Sequence, residues 1–341
     1  MKAVFLYGAN DLRCEDIPVP SPGAGELLVR IRVCGLCGTD IAKVRSGAIP
    51  LPAVLGHEIA GEVAEIGEGA AGFKAGERVA PVHHLPCFKC RFCARGSYSQ
   101  CAEFKQNNIS PGGFAEYALV NRRAVEGSVF RIPDNVSFDE ASFIETAACC
   151  IRAFRNAGVK PGDNVMVVGA GPVGLIHLQL AFIFGAGKVI AADMVDSRLA
   201  AARELGDVST INPGSDNIKE AADEITSSNG ADIVIVTAGS EAAVISGIEA
   251  AAKGGKVVLF GGFPPGAPLR LDPDMIYKRE LKVSGSYSSS PLEQFSALEM
   301  ISRGRLKVSN LITRRFKLCE LRQAVDLACA PGGDLKVVID C

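Results

Sequence analysis

Apolar and polar positions alternate along this chain in two rhythms, and the change falls near Gly158. Ahead of it, residues 26–33 and 61–66 are short stretches rich in β-formers. Turn signals at Pro20-Ser21-Pro22-Gly23, residues 72–76 and Pro111-Gly112-Gly113 punctuate them. Such spacing predicts short strands in a small, irregular, β-rich domain. Beyond Gly158, residues 164–168 form an apolar run ending in glycines, and helical periodicity follows over 172–184. Residues 188–193, 232–237, 256–260 and 281–284 read as buried strands, and 197–205, 217–226 and 241–252 as helices. Strands alternating with helices predict an α/β domain with a doubly wound parallel sheet. A helix at 293–303 and a β-like segment ending at 337–340 make a tail too short for a domain of its own. That tail is expected to fold back onto the first domain.

Composition narrows the classes. The 341 residues favour two domains, and 36 basic against 38 acidic side chains leave a net charge of −2. A near-neutral chain does not coat nucleic acid or anionic membrane non-specifically. No run reaches a membrane-spanning length. Residues 1–7 are too short for a signal-peptide core, so a cytoplasmic protein is expected. Of twelve cysteines, Cys87, Cys90, Cys93 and Cys101 are clustered and eight are scattered. Four thiols at this spacing suit a closed, structural zinc site. A [4Fe–4S] cluster or two disulfides are the alternatives. The last spacing is seven, and Ala102 rather than Pro follows Cys101, which disfavours the cluster. No recognition helix or basic stripe accompanies the cysteines, so a nucleic-acid finger is not expected.

Gly169-Ala170-Gly171-Pro172-Val173-Gly174 follows a predicted strand and opens a predicted helix, the setting a dinucleotide fingerprint requires. Gly169 permits the turn, Gly171 lets backbone approach a pyrophosphate, and Gly174 lets helix and strand close together. Pro172 suits the first helical turn. Asp193, at the end of the second strand, can accept hydrogen bonds from an adenosine ribose and repels a 2′-phosphate, which favours NAD. Arg198 is placed to close over the ribose. A glycine-rich turn merely capped by Asp193 is the competing reading.

A second ligand set is scattered: Cys37 within Cys34-Gly-Leu-Cys37-Gly-Thr39-Asp40, His57-Glu58, and Glu145 within Phe143-Ile144-Glu145-Thr146. Cys34 and Cys37 also admit a redox pair or buried thiols. Against the redox pair, Cys34 ends the strand at 27–33, whereas a thioredoxin-type pair opens a helix.

Taken in order, Cys-Gly-Thr-Asp, Gly-His-Glu, the four-cysteine lobe, Gly-Gly-Phe-Ala-Glu-Tyr at 112–117, Glu-x-Ala-Ala-Cys-Cys and Gly-Ala-Gly-Pro-Val-Gly resemble the zinc-dependent medium-chain dehydrogenase/reductase family. The resemblance spans essentially the whole chain and is nearest the sorbitol/polyol and threonine dehydrogenase branch. It implies a GroES-like catalytic domain over 1–146 and 288–341, and a Rossmann NAD-binding domain over 147–287. It implies two zinc ions per chain: a catalytic one at Cys37, His57, Glu58 and Glu145, and a structural one at Cys87, Cys90, Cys93 and Cys101. Glu145 would bind directly or through water, and Thr39 would take the proton of the reacting alcohol. Gly169, Gly171, Pro172, Val173, Gly174, Asp193 and Arg198 would hold NAD. Cys149 and Cys150 match no ligand.

The activity so implied is hydride transfer between NAD and a secondary alcohol: a polyol, cyclitol or sugar alcohol, with or without phosphate. A threonine-like amino alcohol is the alternative. A zinc-free quinone or enoyl reductase and a non-enzymatic, zinc-stapled binding protein are more distant ones. A homotetramer or dimer is expected, with neither nucleic acid nor membrane as partner. Three departures from the branch stand out. Thr146 occupies a position where Pro is usual, Ala42 one where many relatives place a His, and Gly285-Ser286-Tyr287-Ser288 replaces the polyol signature. His83 and His84, beside the cysteines, are expected to belong to the structural lobe. Lys43 and Arg45 are candidates to meet a phosphate.

Overall fold

Asn164–Val168 runs through the middle of six parallel strands, with Val165, Met166 and Val167 wholly buried. A computed structural model describes residues 1–70, 72–106, 108–264, 266–330, 332 and 335–341. Its contacts divide the chain into residues 149–288 and residues 1–148 with 289–341.

In the first of these units the strands lie in the order Val208–Ile211, Lys188–Ala192, Asn164–Val168, Ala231–Val236, Ala251–Leu259 and Lys282–Gly285. Every pairing is parallel. The chain progresses outward on one side of Asn164–Val168 and then restarts on the other at Ala231–Val236. This is a doubly wound sheet, and the reversal creates a crevice at the carboxyl ends of its two central strands. The helix Pro172–Ile183 follows directly. The strand Val208–Ile211 escaped the periodicity because Ser209 and Thr210 occupy a half-buried edge with no apolar run to signal it.

The second unit is organised on Leu27–Gly35. This strand pairs antiparallel with Glu58–Ile66, with Tyr117–Val120 and with Lys336–Asp340. The tail does fold back: Ile312–Lys317 and Lys336–Asp340 form a parallel pair, with the helix Leu321–Cys329 between them, at the edge of the β-rich sheet. The strand Leu27–Gly35 ends two residues before Cys37, which caps the helix Gly38–Ser46. This corrects the expectation that no helix opens at the Cys34–Cys37 pair. Cys34 nonetheless lies wholly buried, and burial, with neighbouring anionic groups adding to it, raises its thiol well above the ordinary range. Among the described residues no helix is long and apolar enough to cross a membrane.

The scattered cysteines are not all free. Cys14, on the strand Asp11–Asp16, forms a disulfide with Cys319 in the turn Leu318–Glu320, across a sequence separation of 305. In a chain-entropy account, closing so long a loop removes about 5–6 kcal/mol of denatured-state freedom. Cys14→Ser, or reduction of the wild type, is therefore expected to lower the melting temperature. Calorimetry with and without reductant measures the drop, and reductant should leave the Cys14→Ser melt unmoved.

Candidate active site

Cys37, His57 and Glu58 each present a ligand atom, and the three atoms lie within 4.8 Å of one another. Sheet pairing makes this possible. Glu58 begins its strand opposite Gly35, and Cys37 follows two residues past Gly35. Asp40, on the first turn of Gly38–Ser46, is 1% exposed and lies 3.3 Å from His57 Nδ1 through Oδ1. Its carboxylate also accepts from the backbone N–H groups of Cys37 at 3.2 Å and Gly56 at 3.3 Å. Burial alone would raise the Asp40 carboxyl. The His57 ring, its hydrogen bond and the Lys43 charge outweigh burial and hold the group below its usual value. With Nδ1 committed to Asp40, Nε2 is left to face a metal, a common orientation for ligand histidines. Asp40 was not singled out as functional, although it stands in the Cys-Gly-Thr-Asp motif.

Both Glu58 oxygens are engaged: Oε1 accepts from Thr146 Oγ1 at 2.6 Å, and Oε2 pairs with the ammonium of Lys336. Burial lowers the Lys336 pKa, but the charges of Glu58 and Cys37 overcome it, so the ammonium is retained. Glu145, on the first turn of Ile144–Ala157, is buried but stands outside the 4.8 Å set. Thr39 and Ala42 are exposed positions of Gly38–Ser46. Arg45 does not join Lys43 in an anion site. Its guanidinium is held on the surface by Asn10, Asp326 and Cys329. The half-buried Lys43 instead acts electrostatically on Asp40, His83 and His84.

His83 also departs from expectation. Its ring centroid is 4.8 Å from that of His57 and 3.6 Å from that of His84, which in turn lies 4.6 Å from Phe104. At the far end of this row Phe104 packs with Cys93 and Cys101 of the cysteine lobe. Burial, with nearby positive charge adding to it, keeps His83 well below the usual histidine range and His84 at about 3. Both rings are therefore neutral at pH 7, which avoids placing cationic imidazolium beside a metal set.

The sulfurs of Cys87, Cys90, Cys93 and Cys101 also lie within 4.8 Å of one another. Cys87 Sγ is 4.0 Å from Cys93 Sγ, and Cys90 Sγ is 3.6 Å from it, unbonded distances. Four sulfurs at about 2.3 Å from one tetrahedral zinc stand about 3.8 Å apart. The donor set therefore fits zinc and excludes two disulfides. The Lys89 backbone hydrogen bond draws the Cys87 thiol down to about 7, whereas burial pushes the Cys93 thiol up to about 12.

The glycine motif forms a cradle. Gly169 has φ +103°, and Gly174 approaches so closely that a Cβ there would sit 1.9 Å from the Gly169 carbonyl oxygen. Gly171 caps Pro172–Ile183, with Pro172 at its first position. A Cβ on Gly171 would meet no protein atom within 4 Å. A ligand at this helix N-terminus would therefore find open space, the setting a pyrophosphate requires. Asp193 Oδ2 accepts from Ala170 N–H at 2.7 Å and Oδ1 from Val195 N–H at 2.9 Å, while Arg198 Nη1 lies 3.8 Å from Oδ2. Arg198 Nε is buried without a hydrogen-bond partner among the described residues. Val173 lies in the first turn, its carbonyl 2.9 Å from His177 Nδ1. Cys149 and Cys150 are buried residues of the helix Ile144–Ala157.

With this geometry in place, comparison with known proteins identifies the class. Residues 23–134 match the alcohol dehydrogenase GroES-like domain family, and residues 172–303 match the zinc-binding dehydrogenase family. Sorbitol dehydrogenase of Bacillus subtilis (strain 168) is 30% identical over 96% of this chain and 93% of its own length. The structure of galactitol-1-phosphate dehydrogenase from Escherichia coli superimposes with a TM-score of 0.88 at 30% identity, covering 100% of both chains. A structure from Sinorhizobium meliloti 1021, provisionally described as a zinc-binding dehydrogenase and bound to NADP, gives 0.89 at 30% identity. It covers 100% of this chain and 99% of that one. The chain belongs to the zinc-dependent medium-chain dehydrogenase/reductase family, oxidoreductases that act on alcohols.

A closed cysteine site is a folding element. Cys93→Ser is therefore expected to lower the melting temperature and the zinc content of the purified protein. Elemental analysis beside a thermal melt tests this, and a variant with full zinc content and unchanged melting would refute the assignment.

Proposed function

We propose that this protein is an NAD-dependent zinc dehydrogenase that oxidises a secondary alcohol of a polyol, cyclitol or sugar alcohol, or reduces the corresponding ketone. The observation that carries the reading is the mixed sulfur, nitrogen and oxygen set of Cys37, His57 and Glu58. Unlike four thiolates, three such ligands leave a metal with a position for substrate. Zinc, when bound, would lower the pKa of the alcohol hydroxyl, and NAD would accept the hydride.

The chain's own residues do the rest. Asp40 fixes the tautomer and tilt of His57, and the neutral His83 ring packs against it. Glu145, outside the ligand set, would bind the metal directly or through water. Thr39 takes the alcohol proton and, with Ala42 beside it in place of an imidazole, passes it to solvent. Asp193 and Arg198 hold the adenosine ribose, and the Asp193 charge disfavours a 2′-phosphate. The half-buried Lys43 favours substrates carrying an anionic group, which supports the phosphorylated sugar alcohols within the class. Resemblance to this branch also supports a homo-oligomer, a dimer or tetramer. Residues 1–146 with 288–341 would serve as the catalytic domain and 147–287 as the NAD domain.

The direct test is a panel of polyols, sugar-alcohol phosphates and threonine, with reduced dinucleotide followed by absorbance. Turnover of a polyol or its phosphate is expected, and turnover of threonine alone would redirect the substrate assignment. Thr39→Val keeps the side-chain shape but loses the hydroxyl. Its kcat is expected to fall about 10²–10⁴-fold, the usual range for a lost acid–base group, with NAD affinity unchanged. Asp193→Asn keeps an acceptor for Ala170 but removes the charge. It is expected to shift the NADP-to-NAD preference by about tenfold or more, as loss of a charged hydrogen bond implies. An unchanged preference in paired titrations would remove Asp193 from the ribose site.

A further inference from the structure

The surroundings of Glu58 go beyond what a ligand assignment needs. Its carboxylate is 1% exposed and enclosed on three sides. The Thr146 hydroxyl donates to Oε1 at 2.6 Å, and the Lys336 ammonium pairs with Oε2. The backbone of Gly35 closes the third side, where a Cβ would fall 2.1 Å from Oε2. Thr146 and Lys336 are themselves 7% and 4% exposed, so water does not compete for either contact. The Lys336 ammonium also lies 5.6 Å from the centre of the Phe143 ring, on the segment that leads into Thr146.

Two physical consequences follow. A carboxylate oxygen has two lone pairs, so a donor on each oxygen fixes the plane of the group and still leaves a lone pair for a metal. The ligand set also concentrates negative charge in Cys37, Glu58 and the adjoining Asp40. A buried anion is costly to hold without a counter-charge. Lys336 supplies that charge inside the protein, independently of any ion.

We propose that Thr146 and Lys336 are positioning residues for the catalytic metal, fixing Glu58 beside Cys37 and His57 so that the three ligands stand assembled before zinc arrives. This inference rests on the zinc dehydrogenase reading. Thr146 gives this chain a hydroxyl that proline, the usual residue there in the resembling branch, would lack. Neither residue touches substrate. They act through Glu58, and partners of this kind typically change metal affinity by about 10–100-fold.

The test is zinc retention by the intact holoprotein, dialysed against a graded series of a metal chelator, with zinc per chain measured at each step. Wild type is expected to lose its two ions in separate stages, because the four-thiolate site has four soft ligands and the other three mixed ones. Thr146→Ala, a substitution that favours the helix, is expected to lose the Cys37–His57–Glu58 zinc at about 10–100-fold lower free chelator and to keep the cysteine-lobe zinc as wild type does. Thr146→Ser should restore the wild-type curve, and Lys336→Met should lose the same ion earlier still. The retained lobe zinc serves as the internal control for folding, which a merely structural defect would disturb. Superimposable curves for Thr146→Ala and wild type would overturn the inference, as would a Thr146→Ser curve no better than that of Thr146→Ala. A wild type holding one zinc, lost only on Cys93→Ser, would instead overturn the underlying zinc dehydrogenase reading.

Discussion

Gly35 carries no side chain, and the whole active-site corner depends on that absence. Strand register sets it directly opposite Glu58, and Val338 of the C-terminal strand pairs with it on its other edge. A Cβ at position 35 would meet Glu58 Oε2 at 2.1 Å and Lys336 Cε at 3.0 Å. The carboxylate would then have to leave the space from which it faces Cys37 and His57, and the ammonium would be pushed from the carboxylate it pairs with. Two strands from opposite ends of the chain thus deliver a charge and its counter-charge to one point, and a glycine between them lets the two meet. Such a corner tolerates no slip in pairing, because a one-residue shift would turn Glu58 to the opposite face of the sheet.

The two ligand clusters solve different problems with different supports. Cys87, Cys90, Cys93 and Cys101 lie close in sequence and are floored by the buried Phe104, so the lobe is assembled almost locally. Its four like ligands suit a metal that is to be held and not used. The other cluster is non-local. It draws ligands from positions 37, 57 and 58, an orienting carboxylate from 40, a hydroxyl from 146 and an ammonium from 336. Nearly every one of these supports is buried, and that low-dielectric setting makes each charge worth more than it would be in water. The row His57, His83, His84 and Phe104 joins the two clusters through packed rings.

What could be read from the sequence follows the same division between local and non-local. The glycine motif, the alternation of strands and helices and the four-cysteine lobe are local patterns, and each appears in the structure where its spacing placed it, except for the edge strand Val208–Ile211. The ligand set Cys37, His57 and Glu58 was reached through motif order, since no periodicity links position 37 to position 57. Lys336 carried no signal, because a lysine opening a terminal strand is ordinary until the sheet brings it to Glu58, and Thr146 stood out only as a departure from proline, with nothing in the sequence to tie its hydroxyl to Glu58. The Cys14–Cys319 bond was equally silent: two lone cysteines at opposite ends of the chain become neighbours only when the tail folds back. His83 was misplaced for the converse reason. Its nearness in sequence to Cys87 outweighed a contact with His57 that only the folded chain creates.

Asp193 shows why a structural reading and a functional one need not compete. Its carboxylate ties the glycine loop to the second strand through Ala170 N–H and steadies the following turn through Val195 N–H. Capping is therefore a role it has. Each oxygen still keeps a lone pair after one hydrogen bond, and a ribose hydroxyl needs only one acceptor. The bonds that latch the loop also fix the carboxylate beside the glycine turn. For the proposed ribose contact, a free acid on a mobile side chain would lose entropy on binding, whereas Asp193 is already held. Preorganisation by the scaffold thus operates at both ends of the reaction, through backbone amides at Asp193 and through a hydroxyl and an ammonium at Glu58. In each case the fold has already set the orientation of a carboxylate for the ligand proposed for it.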